Sequence, residues 1–289
     1  MRILVTGANG QLGYDCVKRL HQIGFTEVLG IDIADLDITD ESAVIRFITD
    51  YNPDAVIHCA AWTAVDKAEE LPEEVYKVNT LGTKYIATAC QICNAKMIYI
   101  STDYVFDGNG TDPFEIDDAK NGLSVYGKTK SLGEDYVISI LNKYFIVRIS
   151  WVFGIHGNNF VRTMLKLAHA GKKELNVVCD QIGSVTYTSD LAVLLCEMIQ
   201  TDKYGIYHAT NEGILSWYDF ACEIFRQEKL DIQVNPVTTE EYARLISNQA
   251  KRPLNSRLSK RSLIDNQFNV LPDWKNALTR FLKEMKENG

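Results

Sequence analysis

The chain has 289 residues, 46% of them hydrophobic and 24% charged, which is the usage of an ordinary folded protein with a sizeable core and far from a disordered composition. Its formal charge of −8 comes from 38 acidic against 30 basic residues, with no dense Lys/Arg block, so a nucleic-acid partner is not expected. No stretch reaches the ~18 to 20 consecutive apolar residues of a membrane span, and MRILVTGANG lacks the regions of a signal peptide, so a cytoplasmic, membrane-free protein is expected.

The first 150 residues alternate short β-branched runs with longer segments of helical period, the pattern of βαβ units around a parallel sheet. Strands are predicted at 2–6, 27–31, 54–58, 96–101 and 144–149, with helices at about 11–23, 40–51, 73–93 and 125–141. Thr39-Asp40 opens the second helix and Asn52-Pro53 closes it. Beyond residue 150 the rhythm loosens: helices are read at 159–170, 188–200, 216–229 and 273–287, and strands at 175–179 and 205–209. The expected fold is α/β, a Rossmann-type doubly wound parallel sheet with a smaller C-terminal substrate-binding lobe. Residues 1–150 form its dinucleotide-binding domain, part of 180–210 returns to it, and 151–289 form mainly the lobe. The long irregular stretch 103–124 follows a strand, where such loops commonly lie over a ligand.

GANGQLG (7–13) lies between a predicted strand and a predicted helix. Gly7 suits a tight turn, Gly10 the approach of a pyrophosphate and Gly13 close helix packing, with Gln11 and Leu12 opening the helix whose N–H groups face the anion. Asp32 follows Gly13 by 19 residues at the end of the second strand, where an acid accepts from the adenosine ribose and repels a 2′-phosphate. No Lys or Arg lies between Val28 and Asp40, so NADH is expected over NADPH, with Asp37 and Ile38 beside the adenine. The third strand runs into Ala60, Ala61, Trp62 and Thr63, at the sheet edge where open α/β folds bind ligands. His58 reads as a satisfied core histidine. Seven cysteines, mostly in apolar segments, read as reduced thiols, and the lone Cys90/Cys93 pair lacks the second ligand pair of a metal site.

YGKTK (126–130) places a tyrosine and a lysine on one helix face. A ketone that receives hydride also needs a proton on its oxygen; Tyr126 can give it, and the ammonium of Lys130 stabilises the phenolate left behind. Thr102 closes the fourth strand at the same sheet edge, so its hydroxyl completes a catalytic set of Thr102, Tyr126 and Lys130, the last two also meeting the cofactor.

With these residues assembled, the chain resembles the extended short-chain dehydrogenase/reductase family over essentially its whole length. The resemblance rests on GANGQLG, AAWTAVDKAE (60–69), STDYVFDG (101–108), YGKTKSLGE (126–134), RISWVFG (148–154), DQIGSVTYTSDLA (180–192), GIYHATNEG (205–213), SWYDFA (216–221) and RPLNSRL (252–258). It implies an NADH- or NADPH-dependent oxidoreductase of nucleotide-sugar and polysaccharide biosynthesis that reduces the 4-keto group of dTDP-4-dehydro-L-rhamnose. It also implies that Thr102, Asp103 and Trp151 hold the sugar nucleotide and that Arg252 meets its diphosphate. Mg2+ and a homodimer rest on the resemblance alone. Val185 departs from the proline common in relatives, which leaves the shape of its loop open. Another nucleotide-sugar 4-ketoreductase, a 4-epimerase or a non-catalytic NAD(P)-binding regulatory subunit shares the turn and the YxxxK pair. A dehydratase would need an acid where Tyr104 stands.

Overall fold

In the computed structural model, residues 1–245 and 250–287 are described. The β-branched runs form β1 (Ile3–Thr6), β2 (Val28–Ile31), β3 (Ala55–His58), β4 (Lys96–Thr102) and β5 (Tyr144–Ile149), and Gly205–His208 adds an edge strand beyond β5. All six are parallel, in the order edge strand, β5, β4, β3, β1, β2. Both faces of the sheet are covered, which is why these strands read as continuous apolar runs rather than as alternations. Ile3 and Val5 face helix α1 (Gln11–Gln22) and helix Thr188–Met198 through Leu12, Cys16, Leu191 and Leu195. Leu4 and Val56 pack on the opposite face with Val44 and Ile48 of α2 (Glu41–Tyr51) and with Ile86 and Cys90 of helix Thr83–Cys93.

From β1 the chain crosses to β2 on one side and later returns to β3 on the other, so a crevice opens above the carboxyl ends of β1 and β3, the place where such sheets bind ligands. The helix signals hold at the atomic level. The Asp40 side chain accepts from Ala43 N at 3.0 Å, and Asn52, left-handed at φ 49°, ends α2. The segment expected as one helix over 73–93 is Pro72–Tyr76 and Thr83–Cys93 joined by a π-helical turn, Lys77–Gly82. The wide turn carries Asn79, whose side chain accepts from Trp62 N at 2.8 Å and donates to Trp62 O at 3.1 Å, pinning the segment after β3. Periodicity does not encode such a turn, and π turns occur often at functional sites.

The predicted helices of the lobe appear as Phe160–His169, Trp217–Glu228 and Trp274–Glu287, around Phe153, Phe220, Trp274 and Phe281. The expected strand is Glu174–Val178, which pairs in parallel with Gln233–Val237, a partner not foreseen because Pro236 interrupts its pattern. Ile182–Gly183 lies between Leu215–Ser216 and Asn255–Ser256. Two-residue pairings of this kind leave no readable period. Val185 is fully buried in the lobe core, where its carbonyl accepts from Asn211 N at 2.9 Å.

Candidate active site

A cleft of about 820 Å³ runs across the carboxyl edge of the sheet. One wall is the glycine turn. Gly7 has φ +68°, and a Cβ there would lie 2.7 Å from Ala60 N; a Cβ on Gly13 would lie 2.1 Å from Gly7 O. Both positions therefore demand glycine. Helix α1 begins at Gly10 without a side-chain cap, so its first N–H groups are available to an anion in the cleft. Asp32 is fixed beside the turn, its Oδ2 accepting from Asn9 N at 3.0 Å and its Oδ1 from Ile33 N at 2.8 Å. Asp37 and Ile38 line the same end, and Ala60, Ala61, Trp62 and Thr63 line the floor beyond β3. His58 lies behind the floor, its Nδ1 paired with Thr6 Oγ1 at 2.7 Å and its Nε2 with Thr83 Oγ1 at 3.2 Å. Burial, assisted by the Lys130 charge, lowers its pKa to about 3, so it is a neutral core residue as expected.

The opposite wall carries the polar set. Ser124 caps helix Val125–Ile140 by accepting from Gly127 N at 3.1 Å, and the first turns of that helix present Tyr126 and Lys130 to the cleft. Burial pushes the Tyr126 phenol up to about 12; the Thr102 hydroxyl works in the opposite direction and the nearby Asp103 adds to the rise. The phenol is therefore protonated at neutral pH. Lys130 is 2% exposed, with its Nζ 4.0 Å above the Tyr99 ring. Burial pulls it down to about 7, against the charge of Glu134 and the Cys59 thiol, which favour the ammonium. Thr102 ends β4, and its Oγ1 donates to Asp103 Oδ1 at 3.0 Å and accepts from Tyr104 N at 3.2 Å. Burial raises the Asp103 carboxyl to about 6.

Trp151 also lines the cleft. It is held at φ 49°, a strained region for a bulky residue and one that recurs at ligand sites, and its ring stacks on Trp217 at 4.0 Å. Of the sequence-predicted residues only Arg252 is absent from the cleft wall. Its guanidinium pairs with Asp66 Oδ2 at 2.8 Å and donates to Ala250 O at 3.3 Å. Its carboxylate partner lies far away in sequence, so the pairing was not foreseeable.

Sequence reasoning missed Asn9, Cys59, Ser101, Ser150 and Asn158, which also line the cleft. Asn159 next to them donates to Gln11 Oε1 at 3.0 Å and caps helix Phe160–His169; a polar pair ahead of that helix was the available signal. Cys90 is buried and Cys93 half-buried on helix Thr83–Cys93 as free thiols. Among the described residues, no group of three or more His, Cys, Asp or Glu side chains is arranged to hold a metal, and no helix is long and apolar enough to cross a membrane.

The family model described as RmlD substrate binding domain matches residues 1–287. A dTDP-4-dehydrorhamnose reductase from Aggregatibacter actinomycetemcomitans is 42% identical over 291 residues, covering 96% of this chain and 97% of the relative. The crystal structure of a dTDP-4-dehydrorhamnose reductase from Clostridium acetobutylicum superposes with TM-score 0.94 at 44% identity, covering 99% of this chain and 100% of its own. That of the Bacillus anthracis dTDP-4-dehydrorhamnose reductase, solved in complex with NADP, gives 0.93 at 41% identity, covering 98% of this chain and 99% of its own. A match of this extent, on a chain whose turn, acid and Thr-Tyr-Lys set line one cleft, shows that the chain belongs to the dTDP-4-dehydrorhamnose reductase family.

Proposed function

We propose that the protein reduces the 4-keto group of dTDP-4-dehydro-L-rhamnose to the hydroxyl of dTDP-L-rhamnose, with Tyr126 as proton donor. The observation that carries this reading is the facing of Thr102, Tyr126 and Lys130 across one cleft from a glycine turn that tolerates no Cβ. The cradle at Gly7 and Gly13, the uncapped start of α1 and the Asp32 carboxylate fit a nicotinamide dinucleotide, in keeping with the NADP complex of the Bacillus anthracis relative. When bound, a reduced nicotinamide supplies the hydride that goes to the sugar C4.

Thr102 and Tyr126 bond the 4-keto oxygen and polarise it. As the oxygen gains negative charge, the Tyr126 hydroxyl gives it a proton, and the phenolate left behind is stabilised by the Lys130 ammonium one helical turn away. The buried Asp103 accepts from or donates to a sugar hydroxyl, and the Trp151 ring covers the apolar sugar face. Arg252 reaches the diphosphate by exchanging Asp66 for phosphate oxygens, which its planar fork fits equally well.

Residues 1–150, with part of 180–210, form the dinucleotide-binding domain, which also brings Thr102 and Asp103 to the sugar, and 151–289 form mainly the substrate-binding lobe. Asp32 favours NADH, because its carboxylate accepts from ribose hydroxyls and repels a 2′-phosphate. Supplying dTDP-4-dehydro-L-rhamnose with each reduced cofactor and identifying the product by NMR tests the reaction; no dTDP-L-rhamnose with either cofactor contradicts it. Asp32→Ala should narrow the gap between NADH and NADPH, and an unchanged ratio would remove the preference.

A further inference from the structure

One turn past Lys130 on the same helix, Glu134 is completely buried. All its acceptor capacity is directed: Ser101 Oγ donates to Oε1 at 2.5 Å, Arg148 Nε to Oε1 at 2.9 Å and Arg148 Nη2 to Oε2 at 2.8 Å, while Lys120 Nζ lies 3.4 Å from Oε2. Ser101 directly precedes Thr102 on β4, and Arg148 lies opposite Ser101 on β5. The remaining nitrogen of Arg148 reaches away from the helix. Nη1 donates to Ile116 O at 3.0 Å in the irregular loop after Thr102 and lies 3.3 Å from His208 Nε2. The guanidinium also covers the Phe106 ring, which stacks on Phe114, and Phe114 is bridged to Leu258. One buried carboxylate therefore binds the helix of Tyr126 and Lys130 to the strand of Thr102 and, through a single arginine, to the loop leading toward the lobe.

A buried ion pair is weak evidence for stability by itself, since desolvation offsets much of the attraction. Its geometry matters more here, because a bidentate pair fixes two elements in rotation as well as in distance. We propose that Glu134 and Arg148 are positioning residues: they set Tyr126 and Lys130 against Thr102 and tie the Ile116 loop to the same frame. This rests on the reductase reading for its kinetic test and on geometry alone for the rest. The Glu134 charge also favours the Lys130 ammonium, whose other close titratable neighbours are Tyr99 beneath it, Tyr126 on its own helix, and Cys59 and His58 at the end of β3.

Three variants separate positioning from simple bracing. Glu134→Gln should lower kcat about tenfold or more while the dissociation constant for reduced cofactor stays within about twofold. Arg148→Lys cannot serve Glu134 and Ile116 O together, so the KM for the sugar should rise while cofactor affinity holds. Ser101→Ala removes one neutral donor without stranding a charge and should reduce kcat by about threefold; it decides the matter if the charged-site variants do not fold. In the ligand-free protein, NMR titration of labelled lysine should show the Lys130 ammonium losing its proton about one pH unit lower in Glu134→Gln, because Arg148 and Lys120 are then unopposed. Wild-type kcat and an unmoved Lys130 titration in a folded Glu134→Gln would overturn the proposal. A parallel loss of kcat, cofactor affinity and thermal midpoint with no change in that titration would reduce the pair to a brace and overturn it equally. A wild type that does not turn over this sugar contradicts the reductase reading instead, and the lysine titration still decides on Glu134.

Discussion

The two walls of the cleft are built on different principles. The wall proposed for the cofactor is made by three short segments directly after β1, β2 and β3, and Asp32 there takes the N–H groups of Asn9 and Ile33. The other wall is assembled from segments far apart in the chain: Thr102 ends β4, Tyr126 and Lys130 lie on helix Val125–Ile140, and Trp151, just past β5, stacks on Trp217. A turn without room for a Cβ admits little change in sequence, whereas side chains gathered from distant segments can be exchanged singly. The comparison explains how one fold can keep its cofactor while its sugar substrate varies.

The difference can be broken most forcefully with acid. His58 and His208 are buried neutral in the sheet half, both lowered from 6.5 to about 3, whereas Asp103 is raised from 3.8 to about 6. As pH falls from about 6 to about 4.5, the unfolded chain takes up two histidine protons that the fold refuses, and Asp103 takes up one more readily when folded. The net effect is a loss of stability of roughly 1.4 kcal/mol per pH unit. The urea midpoint should fall over that window, less so in His58→Gln, and a flat midpoint would contradict the assignment.

Smaller and confined to one wall, Gly10→Ala adds a methyl 3.2 Å from Gly7 O beside the open N–H groups of α1, which should leave the fold intact and weaken the cofactor roughly 10-fold. Fluorescence titration of reduced cofactor checks it, with dTDP binding as the unaffected control. Smallest should be Trp151→Ala, which forfeits an aromatic face worth about 0.5–1.5 kcal/mol and so raises the sugar KM by roughly 3- to 10-fold at unchanged cofactor affinity. Equal loss on both sides in either variant would erase the distinction between the walls.

The same contrast governs what the sequence discloses. Strand and helix order in the first half is legible because burial on both faces imposes continuous apolar runs and because glycine, Asp32 and YGKTK act at fixed local spacings. Thr102, Tyr126 and Lys130 were legible for that reason, and they line one cleft. The π turn at Lys77–Gly82 was not, since it goes with long-range bonds of Asn79 to Trp62 that periodicity does not reveal. The Arg252–Asp66 and Glu134–Arg148 pairs were equally hidden, because partners separated by many residues leave no trace in period or spacing. Two-residue strand pairings in the lobe have no pattern at all.

Tyr126 is the proposed proton donor. Following reduced-nicotinamide absorbance with dTDP-4-dehydro-L-rhamnose, the wild type should oxidise the cofactor, and Tyr126→Phe should do so about 10²- to 10⁴-fold more slowly at saturating cofactor. Full turnover by the Phe variant would contradict the proton-donor role, and no oxidation by the wild type would contradict the reaction itself.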